Sequence, residues 1–308
     1  MAIDTEGVGS DARTIRRIVV GVDGSEHSMV ALEWAATQAD LSGAALEVVA
    51  AFGPGYQFLS REEADQCMRN DVDDALVRAK KCAPTIEATS TIFEGPPELV
   101  LMREGLGADL LVVGSRGLGG FKGLLLGSVS RKCVHRARCP VVVVPHGPTA
   151  DSTETAFPSE PSTNDQDETT RRIVVGVDGS PSSIAALEWA GNQAELTGAT
   201  LEALLAWEWL TGYGWSPIPS DFEPEHAHET ALSELLQPIR KAHPAMPIQT
   251  AVIEGHPAPL LTKASQGADL LVVGSRGHGE FVGMLLGSVS EHCATHAHCP
   301  VVVMRDGQ

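Results

Sequence analysis

Short, apolar, β-branched runs alternate along the chain with longer helical patterns, and this alternation predicts βαβ units around a parallel sheet. In the first half the predicted strands are IVVGV from Ile18, LEVVAAF from Leu46, TSTIF from Thr89, DLLVVG from Asp109 and VVVVP from Val141. In the second half they are IVVGV from Ile173, LEALLAW from Leu201, IQTAVI from Ile248, DLLVVG from Asp269 and VVVM from Val301. Runs such as LLVV and VVVV are apolar throughout, as expected of strands covered by helices on both faces. The helix after each first strand is predicted to start near Ser25 or Ser180, both good N-cap residues, and Trp34 and Trp189 within those helices read as core.

The two halves repeat one another. RRIVVGVDGS runs from Arg16 to Ser25 and recurs letter for letter from Arg171 to Ser180, an offset of 155 residues. GADLLVVGSRG at Gly107 returns at Gly267, LLGSVS at Leu125 returns at Leu285 and CPVVV at Cys139 returns at Cys299, each offset by 160. A period of that length is a whole domain, so the chain reads as a tandem duplication. The expected organisation is a loose tail over 1–15, a first α/β domain over 16–146, a linker over 147–170 and a second α/β domain over 171–308, each domain with a five-stranded parallel sheet. The linker, GPTADSTETAFPSEPSTNDQDETT, has no basic residue and is rich in Ser, Thr, Pro and acids, the composition of a solvated spacer.

Charge narrows the partners. The formal net charge of −18 over 308 residues repels phosphodiester backbones and anionic headgroups, so neither nucleic acid nor a membrane surface is expected as a partner, and any anionic ligand must be held locally. No run approaches membrane-spanning length, and the start MAIDTEGVGSDARTIRR lacks the apolar core of a signal peptide; a cytoplasmic location is expected. Six cysteines without dense spacing suit a reducing compartment.

The candidate chemistry lies in GSRGLGGFKGLLLGSVS from Gly114 and GSRGHGEFVGMLLGSVS from Gly274. Each loop leaves the carboxyl end of the fourth strand, the edge where open α/β sheets bind ligands. Gly114, Gly117 and Gly127, and likewise Gly274, Gly277 and Gly287, lack a β-carbon, so the backbone there can adopt positive φ angles and approach a ligand closely with its N–H groups exposed. Ser128 and Ser288 open helices whose first amides form an anion seat. The P-loop pattern is absent, and Gly117, Gly119 and Gly123 are spaced too widely for a dinucleotide fingerprint. Opposite the loop, the first strand ends in Gly21-Val22-Asp23-Gly24-Ser25, repeated from Gly176 with Asp178, and both turns should line one crevice, Gly21 permitting close approach. Asp23 then either caps the following helix, accepts from a ribose hydroxyl or holds a metal bridging phosphates. Arg116 and Arg276 either contact phosphate or brace the loop.

The combination of VGVDGS, DLLVVGSRG and Gly-x2-Gly-x9-Gly-Ser resembles the universal stress protein family, over both halves apart from linker and termini. The resemblance implies two Rossmann-like α/β/α domains, each binding one ATP, with Mg2+ or Mn2+, in a nucleotide-dependent regulator of stress response or growth. Carried over to this chain, Gly114, Gly117, Gly127 and Ser128 wrap triphosphate and ribose, with Ser115, Arg116, Gly119 and Val129 in the same loop and helix start. Gly274, Ser275, Arg276, Gly277, Gly279, Gly287, Ser288 and Val289 do so in the second copy, Asp23 and Asp178 stand near ribose or metal, and the backbone near Ala51 and Ala206 reads adenine. The last strands are implied to join the two domains about a pseudo-twofold axis; a homodimer and an unidentified protein partner are left open. The alternatives are slow metal-dependent ATP hydrolysis and a scaffold that binds no nucleotide.

Where the copies differ, Leu118, Gly120 and Lys122 become His278, Glu280 and Val282. Losing a cation and gaining an anion beside a triphosphate predicts weaker ATP binding at the second site, by about 0.5–1 kcal/mol per change at a solvent-screened position. Trp207, Trp209, Tyr213 and Trp215 cluster after the second strand of the second copy and read as core or interface before they read as adenine-stacking. His292, Cys293, His296, His298 and Cys299 invite a zinc site, but the first copy has Cys133, His135 and Cys139 with histidines out of register. The cysteine before the proline of each final strand is expected to be a small buried hydrophobe.

Overall fold

A computed structural model describes residues 15–53, 61–118, 125–145, 171–208, 224–277 and 286–305. The tail over 1–14, the linker over 147–170 and, within the loops and the aromatic cluster, Gly119, Gly120, Lys122, Gly123, Trp209, Tyr213, Trp215, His278, Gly279, Glu280 and Val282 lie outside the described residues. The first half runs β1 (Arg17–Val22), α1 (Glu26–Ser42), β2 (Ala45–Phe52), α2 (Arg61–Cys82), β3 (Ala88–Glu94), α3 (Pro97–Glu104), β4 (Leu110–Gly114), α4 (Ser128–Arg136) and β5 (Val141–Val144). The second half repeats it as β6 (Arg172–Gly176), α5 (Pro181–Thr197), β7 (Thr200–Trp207), α6 (Pro224–Ala242), β8 (Ile248–Glu254), α7 (Pro257–Ala264), β9 (Leu270–Gly274), α8 (Ser288–His296) and β10 (Val301–Met304).

Local chemistry explains the helix boundaries. The hydroxyls of Ser25 and Ser180 accept from the amides of Ser28 and Ser183, satisfying donors that the first turns of α1 and α5 leave open. Both helices end on glycines, Gly43 and Gly198, at φ +68°, a left-handed conformation that a β-carbon would penalise.

The strands form one ten-stranded sheet in the order β3-β2-β1-β4-β5-β10-β9-β6-β7-β8. Each half is parallel within itself, as its sequence predicts, and the two join where β5 runs antiparallel to β10 through Val141↔Val303, Val142↔Val302 and Val143↔Val301. Alternate side chains serve opposite faces: Ile18, Val20 and Val22 join one core with α1 and α2, while Val19 joins another with Leu101, Cys133 and Val134. Both cores contain residues of both halves, so apolar burial runs unbroken across the junction.

Two polar contacts mark the junction. On one face the buried amides of Gln38 and Gln193 exchange hydrogen bonds of 3.0 and 2.7 Å, a reciprocal pair between repeat-related positions. On the other, Glu291 Oε1 lies 3.3 Å from Arg131 Nε and 3.3 Å from His135 Nε2, the latter contact without hydrogen-bond geometry.

Candidate functional site

Strand order reverses at β1, which pairs with β2 on one side and β4 on the other, and this places the turn after β1 beside the loop after β4. The register leaves Val22 opposite Ala50, so β1 ends while β2 continues through Ala51 and Phe52, whose partners lie on β3. Ala51 therefore lies past the last position of β2 that pairs with β1, at the crevice end of the strand. Ala206 has the same position, paired with Ile253 of β8 beyond the end of β6.

Asp23 ties the two turns together. Its Oδ1 accepts from the amide and hydroxyl of Ser25 at 3.1 and 2.5 Å, and its Oδ2 accepts from the amide of Leu118 at 2.9 Å. Ser25, not Asp23, supplies the N-cap, because the hydroxyl one residue before the helix is the group that reaches the Ser28 amide. Asp178 accepts from the amide of Ser180 at 2.9 Å, reproducing the turn in the second half. The second loop is held further by Ser182 and Ser180, whose hydroxyls donate to the carbonyl of Arg276 at 2.5 and 3.1 Å.

Packing accounts for the described loop glycines, which do not use the positive φ angles open to them. Gly114, Gly117 and Gly127 are absent from the described glycines with positive φ, and Gly127 has an extended backbone at φ −69°. A β-carbon on Gly114 would lie 2.6 Å from the carbonyl oxygen of His27, where the start of α1 crosses the end of β4. One on Gly117 would lie 2.3 Å from Asp23 Oδ2, and one on Gly277 2.6 Å from Asp178 Oδ2. Gly21 and Gly176 are likewise approached by protein: their β-carbons would meet Leu101 of α3 at 2.8 Å and Leu261 of α7 at 2.9 Å. On the side where a β-carbon would stand, Gly21 is met by a core leucine.

The ends of the loop are closed by backbone hydrogen bonds. Ser115 donates to Val144, Gly127 donates to the Ser115 carbonyl at 2.7 Å, and the Ser130 hydroxyl donates to the Gly114 carbonyl. Ser275, Gly287 and Ser290 repeat all three contacts. The Gly127 amide is thereby spent on shape, and what remains open is the helix behind it. Gly127 and Gly287 occupy the N-cap positions of α4 and α8 with no side-chain cap, so the first-turn amides, at Ser128 and Val129 or Ser288 and Val289, keep no capping partner among the described residues.

A residue with no motif to reveal it adds charge. Asp71 of α2 has a carboxyl oxygen 2.7 Å from where a β-carbon of Gly24 would stand. Burial, then the neighbouring charges of Asp23 and Asp74, raise its carboxyl above the usual range. The repeat offset of 160 places Ala231 at the equivalent point of α6, and the two flanking core residues, Val72 and Leu232, are both buried.

The remaining candidates fall elsewhere. Trp207 packs against the core and stacks on His228 of α6 at 5.3 Å between ring centroids. Burial pushes the thiols of Cys133, Cys293 and Cys299 up to about 12 and that of Cys139 up to about 11, so all four are protonated core residues. Among the described residues no three His, Cys, Asp or Glu side chains converge to hold a metal, and no helix is long and apolar enough to cross a membrane.

Known proteins share this duplicated sequence and this fold. The profile of the Universal stress protein family matches residues 14–145 and again 169–305. Universal stress protein Rv1996 of Mycobacterium tuberculosis is 32% identical over 316 residues, covering 94% of this chain and 94% of its own length. Universal stress protein Rv2623 of the same organism is 33% identical over 303 residues, covering 94% and 96%. The crystal structure of a universal stress protein from Archaeoglobus fulgidus has the same fold, with a TM-score of 0.67 at 21% identity over 96% of this chain and 98% of that one. The chain belongs to the universal stress protein family and carries two copies of its domain.

Proposed function

We propose that each half binds one ATP across the crevice between β1 and β4, or β6 and β9, and that the chain is a nucleotide-dependent regulator. The observation that carries this reading is a contrast within one chain. α1 and α5 begin on serines that satisfy their amides, whereas α4 and α8 begin on glycines that do not. A helix start left open beside a ligand-binding sheet edge is a seat for phosphate. Ala51 and Ala206, past the last residues of β2 and β7 that pair with β1 and β6, stand where the edge of adenine would lie, and a divalent ion accompanying the triphosphate would supply charge neutralisation.

Asp23 favours regulation over hydrolysis. A carboxylate has about four lone-pair sites, and Asp23 uses three of them on Ser25 and Leu118. The one left can accept from a ribose hydroxyl or meet a metal, but a group already holding three donors is poorly placed to take a proton from water. Isothermal titration of the full chain with MgATP tests the reading. Two sites per chain are expected, falling to one in Gly117→Val and to one in Gly277→Val; absence of saturable binding, or a stoichiometry of two in both variants, overturns it.

A further inference from the structure

One cavity lies where the halves meet. It has a volume of about 210 Å³ and is lined by residues including Ser115, Arg116, Pro145, Ala294, His296 and Cys299. The first glycine loop forms one wall and the end of α8 another, so the cavity depends on the junction of the two halves. At about 30 Å³ per liquid water, that is room for about seven waters, well beyond one structural water.

The two walls differ in charge. On the loop side the cavity is lined by Arg116, whose guanidinium is a permanent cation, and the buried Ser115 shares that wall. On the opposite side, the last turn of α8 carries the partial negative charge of a helix C-terminus. The repeat shows what such a helix end accepts. At the equivalent place in the other half, Val134 stands for Ala294 and Arg305 stands for Pro145, and Arg305 Nη2 donates to the carbonyl of Val134. The chain provides its own cationic donor to the end of α4. At the end of α8 it provides Pro145, whose ring has none.

We propose that the cavity between the first glycine loop and α8 binds a small zwitterion, its carboxylate on Arg116 and Ser115 and its ammonium on the C-terminal carbonyls of α8. The ammonium takes the part that Arg305 plays in the other half. A compact amino acid satisfies both the size and the two charges. The cavity shares Ser115 and Arg116 with the first glycine loop, but its other wall, α8, lies outside the crevice between β1 and β4, and the proposal does not rest on nucleotide binding there.

Isothermal titration of the full chain at fixed ionic strength, with glycine, β-alanine and 4-aminobutyrate, tests this. One of the three is expected to bind saturably at one per chain, with acetate and methylammonium at least tenfold weaker. Arg116→Gln should weaken the zwitterion by tenfold or more. Because that change also touches the loop, Pro145→Arg serves as the second variant: a guanidinium placed as Arg305 is in the other half fills the cavity, abolishing zwitterion binding while leaving ATP binding intact. The proposal fails if none of the amino acids binds, if acetate binds as tightly as they do, or if binding survives Pro145→Arg.

Discussion

In the first crevice Asp23 is joined by Asp71, so two carboxyls stand behind one loop; in the second, Asp178 has Ala231 at the corresponding position of α6. The backbone around them scarcely differs. Gly114 and Gly274 are pressed against the first turns of α1 and α5, Gly117 and Gly277 against an aspartate, and Gly127 and Gly287 both donate to a serine carbonyl. Duplication has kept the steric frame of the site and let its electrostatics diverge. If both crevices take ATP as proposed, the loop charges, with Lys122 in the first and Glu280 in the second, favour the first site, whereas Asp71 opposes it, two screened effects of similar size.

The sameness of the frame is the easiest part to break. Gly114→Ala would put a β-carbon 2.6 Å from the His27 carbonyl oxygen and 2.8 Å from its carbon; Gly274→Ala would put one 2.8 Å from the backbone of Ser182 and Ser183. Backbone cannot rotate aside as a side chain can. Each substitution should cost about 1–3 kcal/mol, the usual range for overpacking, read as a lower midpoint in urea unfolding. Gly43→Ala, with nothing within 4 Å and only its φ of +68° to strain, is the control and should cost about 1 kcal/mol.

That result bears on how far the sequence could be read. All ten strands begin and end within one residue of the β-branched runs, and the caps at Ser25 and Ser180 fall where their side-chain chemistry requires. These are local properties, visible in a window of a few residues. The reason for the glycines was not visible, because a missing β-carbon marks close approach without saying whether ligand or protein approaches. Leu101 against Gly21 and Asp71 beside Asp23 depend on chain segments 80 and 48 residues apart, and no local pattern encodes them. The repeat itself held one unused clue. Ser130 and Ser290 belong to the duplicated GSVS, and their shared hydrogen bonds to Gly114 and Gly274 explain why the second serine of that motif recurs.

The junction sharpens the comparison, since there the copies touch at equivalent positions. Gln38 and Gln193 are the same letter and satisfy each other while buried. Gln38→Leu alone strands the Gln193 amide and should cost about 1–3 kcal/mol, the penalty of an unsatisfied buried polar group. Gln38→Leu with Gln193→Leu removes both partners and should recover most of that loss; additive losses in a double-mutant cycle would mean the pair is not coupled. Arg131 and Glu291 also occupy equivalent positions but with opposite charges, and their side chains, 63% and 39% exposed, contribute far less than the amide pair.

The smallest effect tests the divergence directly. Because the Asp71 carboxyl is raised in the folded protein by burial, Asp23 and Asp74, the folded state holds its proton more tightly than the unfolded chain does. Its stabilising contribution is complete below the ordinary carboxyl value of 3.8 and is lost as pH rises through the raised one. Asp71→Asn removes that loss. Above the transition the variant should melt slightly higher than the parent, by about 1–2 °C, and the difference should vanish as pH falls toward 3.8. The same substitution removes a carboxylate from behind the first loop and should tighten ATP there by about two- to fivefold, the scale of a screened charge, while Ala231→Asp should weaken the second site by a similar factor. Titrations in which neither change moves its own site would show that Asp71 does not set the difference between the crevices, leaving the loop charges to do so.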